Sequence, residues 1–313
     1  MRKFGLAILL CVVGSVFGQN LELTNGKDIK QPGKVNPALV GVQEDLIRVL
    51  TDAEIGESFQ FMLEGRMPLN LGNYMVGVER TFTDDVANNM FNITYGRTVK
   101  SDKKLQLRYG GSLQFNQKSI LNKGFDSTSG YTFTDLNGDT QSVKNLTDIR
   151  NEIGYMDAEF GVTANYKNLV LGASVENLLG QNVSLSNLES RQIPFTTNLM
   201  LGGFLNIGKN FTIFPSAIMV LNEDDMYGKA NFNISAKRVN LDLAYIQEND
   251  YQDFSAALAF RVKKVFAGVK YTHPITSAST NTVPSYNLFF NSTVFKSRKL
   301  NKSEFSQLMK KFY

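Results

Sequence analysis

Apolar and polar residues alternate along most of this chain, in segments of about 9 to 12 residues, the length of a strand tilted across a bilayer. From Lys229 to Lys237, Ala230, Phe232, Ile234 and Ala236 share one face, while Lys229, Asn231, Asn233, Ser235 and Lys237 share the other. Leu105 to Asn116 repeats the pattern, with Leu105, Leu107, Tyr109, Leu113 and Phe115 set against Gln106, Arg108, Ser112, Gln114 and Asn116. Met156 to Ala164 and Phe254 to Val262 carry two further apolar rows. A helix would scatter these residues around its axis. About 14 such segments begin near Leu46, Ser58, Asn73, Asn89, Leu105, Tyr155, Asn168, Phe195, Asn210, Tyr227, Val239, Asp253, Val265 and Ser285. The pattern predicts an all-β fold: a transmembrane up-and-down antiparallel β-barrel of about 14 strands, an even number that leaves both ends on one side of the membrane. The rival is a soluble β-sandwich, whose strands are usually about 5 to 6 residues long.

The connections alternate in step with the strands. Leu69 to Gly72, Lys100 to Lys104, Tyr166 to Asn168, Gly208 to Asn210, Arg238 to Asn240 and Val262 to Lys264 are short. Asn116 to Gly154, Asn177 to Pro194 and His273 to Pro284 are long. Bacterial barrels have short periplasmic turns and longer external loops, so this order places the N-terminus in the periplasm. The short turns are rich in Lys and Arg and the opposite loops in Asp and Glu, which makes one rim basic and the other acidic. A loop as long as Asn116 to Gly154 is expected to have a function of its own.

Residues 1–18 read as a secretory signal peptide: Arg2 and Lys3, an apolar run from Phe4 to Phe17, and Ser15 and Gly18 as small residues before Gln19. That run is shorter than the roughly 20 residues of a spanning helix. The only cysteine, Cys11, falls within it, and Leu10 beside it does not suit a lipoprotein cleavage site, so neither lipid anchor nor disulfide is expected. Without Arg2 and Lys3, 31 of the 33 basic residues remain against 29 acidic ones, a balance of about +2 that offers no argument for nucleic acid. No linker divides the rest. The expected order is signal peptide 1–18, periplasmic N-terminal segment 19–45, barrel 46–295 and basic periplasmic tail 296–313.

Candidate chemistry is sparse. The one histidine, His273, sits at a strand edge beside Pro274, with Ser277 and Ser279 nearby, but no nucleophile elbow or zinc motif accompanies it. Asp135, Asn137 and Asp139 alternate as calcium ligands do, yet Gly138 is misplaced for such a loop and no distant glutamate follows. A turn at Asn137 and Gly138 accounts for the same residues. Neither an enzyme nor a cofactor is expected. The polar faces carry Glu64, Arg66, Glu79, Arg108, Asp157, Glu159 and Glu176, and further along Asp242, Arg261 and Lys270. If the apolar faces meet lipid, these charges line the lumen, either paired across a filled interior or solvated. The barrel's size, between small packed barrels and wide porins, favours the filled one.

Val35-Asn36-Pro37-Ala38-Leu39-Val40-Gly41, ahead of the first strand, resembles the NPAxxG element of the PorP/SprF family through Asn36, Pro37, Ala38 and Gly41. The resemblance continues at Met75 to Val78, Asn92 to Gly96, Leu105 to Gly111, Phe160 to Val162, Asn165-Tyr166 and Leu171 to Leu179. It covers most of the chain, although the tryptophan common near the family's first hairpin is absent. It implies an outer-membrane component of the type IX secretion system of Bacteroidota, serving protein secretion and gliding motility. Such a component would be a scaffold or adaptor, partnered by outer-membrane lipids and by the periplasmic lipoprotein ring or a secreted adhesin. A FadL-like passive transporter of hydrophobic small molecules is the alternative. In the tail, Phe305, Leu308, Met309 and Phe312 fall at helical spacing and would form a stripe for a periplasmic partner. A frayed basic end touching lipid headgroups would carry the same residues.

Overall fold

The computed structural model describes residues 35–40, 45–54, 58–69, 72–83, 86–101, 105–120, 124–126, 130–134, 140–143, 152–182, 192–207, 210–222, 226–248, 251–262, 265–276 and 284–296. The expected signal peptide and the tail stripe at Phe305, Leu308, Met309 and Phe312 lie outside the described residues, as do Gly41, Asp135, Asn137 and Asp139.

The first strands are β1 (Asp45–Glu54), β2 (Ser58–Leu69), β3 (Gly72–Thr83), β4 (Val86–Ser101) and β5 (Leu105–Ile120). Three short ones follow: β6 (Gly124–Asp126), β7 (Gly130–Thr134) and β8 (Thr140–Val143). The wall resumes with β9 (Glu152–Tyr166), β10 (Leu169–Glu176), β11 (Thr196–Gly203), β12 (Leu205–Ile207) and β13 (Phe211–Leu221). It ends with β14 (Met226–Ala236), β15 (Val239–Glu248), β16 (Tyr251–Val262), β17 (Val265–Thr276) and β18 (Ser285–Lys296). Every expected strand start falls within three residues of an observed one, the largest offsets being Asn89 against Val86 and Tyr155 against Glu152.

All pairings are antiparallel. β12 continues β11 beyond Phe204, so the large sheet has fourteen staves. The first strand pairs with the last, Thr51 opposite Phe290, and β11 pairs with β13, Leu199 opposite Met219. Each stave is thereby hydrogen-bonded on both sides, and the path from neighbour to neighbour returns to its starting strand. Such a ladder leaves no edge to be satisfied by solvent, as a lipid environment demands.

Burial is inverted relative to a soluble fold. Along β9, Asp157, Glu159, Thr163 and Asn165 are buried while Met156, Phe160 and Val162 are exposed. Leu113 is 56% exposed and Leu171 54%. A soluble β-sandwich would bury that apolar face, so the sandwich reading fails on the side of the wall that is covered. Among the described residues no helix is long and apolar enough to cross a membrane.

Two expectations need adjustment. The longest connection begins after Ile120 and ends before Glu152, not at Asn116 and Gly154, and it contains the separate sheet β6-β7-β8. Pairing continues through Gln117↔Gly154 and Ser119↔Glu152 although the sequence contrast fades there. Beyond the lipid the outer face need not be apolar, but the backbone ladder persists. The segment 19–45, read as periplasmic, also changes: its residues 35–40 are all buried, packed against the inner face of the wall.

Candidate functional site: a plugged lumen

The site starts from a local capping arrangement. Asn36 is extended, with φ −164° and ψ 123°, and its side-chain oxygen accepts from the Ala38 N–H at 2.9 Å. Proline next in line has its φ preset and no N–H to satisfy, so Pro37–Leu39 close into one 3₁₀ turn. The Leu39 N–H donates to Asn36 O at 3.0 Å and the Val40 N–H to Pro37 O at 3.2 Å. The Asn36 side-chain nitrogen then donates to Val162 O at 3.2 Å and Ala173 O at 2.9 Å, on β9 and β10. One carboxamide thus caps its own turn and fastens it to the wall. An aspartate there could cap but not donate.

Under the turn the wall has no side chains. Gly96, Gly110 and Gly161 are register partners across β4, β5 and β9. A Cβ on Gly110 would lie 2.5 Å from the Pro37 carbonyl carbon, and one on Gly96 2.9 Å from Val40 O. One on Gly161 would overlap the Asn36 carboxamide, and Gly172 on β10 would crowd it at 3.3 Å. Elements of the motif that are far apart in the chain therefore meet in one seat, whose occupant is the Asn36-Pro37-Ala38 element itself.

Arg108 clamps the far end. Its Nε donates to Ala38 O at 2.7 Å, its Nη2 to Val40 O at 2.5 Å and its Nη1 to Thr98 Oγ1 at 2.9 Å. The guanidinium is 2% exposed and all these partners are neutral oxygens. Its planar fork takes two backbone carbonyls at once, which an ammonium could not do with the same geometry. At the near end the Ser174 hydroxyl donates to Val35 O at 3.4 Å. Asn198 Nδ2 bonds Ser174 Oγ at 3.1 Å and Glu176 at 2.6 Å.

The apolar side of the segment faces the other wall. Val35 and Leu39 join Val170, Met200, Phe204, Phe214, Ile218, Val220 and Tyr227 in one buried cluster. Phe204 interrupts β11 and β12, its N–H donating to Asn168 O at 2.8 Å, and its ring lies 4.3 Å from that of Phe214. Sequence reasoning did not find this patch: around Phe214 and Ile218 both faces of β13 are apolar, so alternation gave no warning of inward phenylalanine.

The other singled-out residues are dispersed along the wall. Glu79 accepts from the Gln60 amide and from Thr81 Oγ1, and Asp157 takes the Asn177 N–H at 3.0 Å. Glu159 is buried on β9, two residues from Asp157 and Gly161. Glu64 and Arg66 stand in β2 opposite Gly77 and Met75, their side chains outside the described part. His273 lies on the outer face of β17, its Nδ1 3.2 Å from the Tyr271 hydroxyl and its ring stacked on that tyrosine. Among the described residues no group of three or more His, Cys, Asp or Glu is placed to hold a metal.

Residues 32–291 match the family model of the type IX secretion system membrane protein PorP/SprF. No curated protein matches the chain. Among solved structures, the outer membrane protein Omp33 of Acinetobacter baumannii is 9% identical, with 81% of this chain and 99% of that one covered and a TM-score of 0.49. The toluene transporter TodX of Pseudomonas putida is 10% identical, with 90% and 95% covered and a TM-score of 0.49. These likenesses are too distant to bear on function.

Proposed function

The chain belongs to the type IX secretion system membrane protein family PorP/SprF, and from that premise we propose an outer-membrane barrel that serves secretion as a non-enzymatic scaffold or adaptor. The family and the fold are those of a secretion barrel and not of an enzyme class. On this reading residues 1–18 export the chain, and the partners are periplasmic components of the secretion lipoprotein ring or a secreted adhesin.

One observation carries the choice of scaffold over transporter. Val35–Val40 sit inside the ring of strands, bonded to β9 and β10 through Asn36 and to β5 through Arg108. Val35 and Leu39 cover the apolar patch of Val170, Phe204 and Phe214 that a FadL-like path for hydrophobic molecules would use. A solute path needs continuous free surface, and here the chain's own segment takes it. Purified protein in planar bilayers tests the choice. The reading expects no stable conductance and no hydrocarbon uptake; robust conductance or uptake by the unaltered protein would overturn it.

A further inference from the structure

We propose that the outer face of the β4–β5 hairpin, near the short-turn rim, binds the phosphate group of a membrane phospholipid through Arg97, Tyr95 and Tyr109. The proposal rests on the reading of the barrel as membrane-spanning, with this rim at one leaflet.

The residues project outward because their neighbours project inward. Asn92, Thr94 and Gly96 are buried on the lumen side of β4, so Tyr95 and Arg97 belong to the lipid side, and Arg97 is exposed. Arg97 stands directly opposite Tyr109, and Tyr95 directly opposite Tyr74. The Tyr95 ring lies 5.0 Å from that of Tyr74 and 6.2 Å from that of Tyr109, against Gly72, where a Cβ would collide with it. Because β3 begins at Gly72, the outer face of β4 beyond Gly96 has no partner on that side, and the wall steps down. At the step the register slips between Thr98 and Lys100, and the extra residue of this bulge, Val99, is 68% exposed.

A cation on the lipid face is least costly at the interface, and it still needs a counter-charge. Arg97 hydrogen-bonds to Tyr109 and Tyr95, which are neutral. A phenol that accepts from a guanidinium keeps its own O–H to donate, so two hydroxyls and the remaining guanidinium N–H groups converge on one missing anion. A phosphate meets that demand with several acceptor oxygens. Val99 beside it supplies apolar surface for the acyl chain that a phospholipid brings and a free ion does not. One hairpin away, Lys167 holds its Nζ 5.4 Å from the Tyr166 ring, a second cation at the same rim.

Native mass spectrometry of the full barrel, titrated with phosphatidylglycerol in mild detergent, tests the site. Arg97→Gln should weaken the tightest lipid adduct about tenfold, the equivalent of about 1.4 kcal/mol. Arg97→Lys should retain most of the binding, and Tyr109→Phe should weaken it several-fold without altering the barrel. Lipid affinity within threefold of wild type in both Arg97→Gln and Tyr109→Phe would overturn the proposal. Displacement of the lipid by millimolar inorganic phosphate would overturn its assignment to phospholipid. A failure of the membrane reading would look different: the unaltered protein would not insert into liposomes.

Discussion

Replacing Arg108 with alanine tests the plug most directly. The change removes the donors to Ala38 O and Val40 O, at 2.7 and 2.5 Å, and leaves both carbonyls facing a void. Hydrogen bonds from a charged donor contribute about 1.5 to 3 kcal/mol each, so the two together hold the segment by about 3 to 6 kcal/mol. In the undocked state water rehydrates the guanidinium, which draws the net effect toward the lower figure, about 3 kcal/mol. At about 1.4 kcal/mol per factor of ten, the undocked population rises roughly a hundredfold. Thiol labelling can read that population. Cys11 is the only cysteine of the sequence, so a chain starting at Gln19 offers no competing thiol. Val40→Cys places a near-isosteric reporter at a position 1% exposed, with its carbonyl still facing Arg108. Maleimide should react with this cysteine about a hundredfold faster when Arg108→Ala is added. Arg108→Lys should fall between, since an ammonium reaches one carbonyl in place of two. A labelling rate changed by less than about threefold in Arg108→Ala would refute the clamp, provided the barrel still migrates as a folded species on unheated gels.

Other outcomes follow from the same geometry. Gly110→Ala puts a methyl 2.5 Å from the Pro37 carbonyl and should raise labelling of the same reporter at least tenfold, whereas Gly228→Ala, with nothing within 4 Å, should leave it unchanged. Phe160→Arg, on the outer face in the middle of β9, should destabilise the barrel in liposomes by about 2 to 4 kcal/mol by urea titration, and Val99→Arg at the rim by about 1 kcal/mol or less. Deleting Ser127 to Asn145 from the long external connection should leave heat-resistant barrel migration intact and impair secretion or cargo attachment in cells. Truncation after Ser297 should likewise spare the barrel while abolishing co-purification of a periplasmic partner, if the Phe305, Leu308, Met309 and Phe312 stripe is its contact.

The strands, their two faces and the alternation of short and long connections could be read from the sequence alone. A wall between lipid and lumen imposes period two on neighbours in the chain, and Phe160 or Leu113 reports its side locally. Strand ends were less legible. At Gln117 and Lys118 the outer face has left the lipid, so the contrast disappears while the ladder runs on to Ile120. Arg108 was visible as a polar-face charge, but its partners were not, since a charge suggests a counter-charge and the structure supplies backbone carbonyls. Asn36, Gly96, Gly110, Gly161 and Gly172 stood in the sequence as separate motif fragments. Their meeting depends on register, because a slip of one residue would turn Gly110 from Pro37 toward the lipid. Asn36 and Val162 are 126 residues apart, and nothing local to either specifies the other. Alternation is a relation between adjacent residues and is written in the chain. Which lumen side chains meet is set by the stagger of strands around the whole ring, which only the tertiary structure decides.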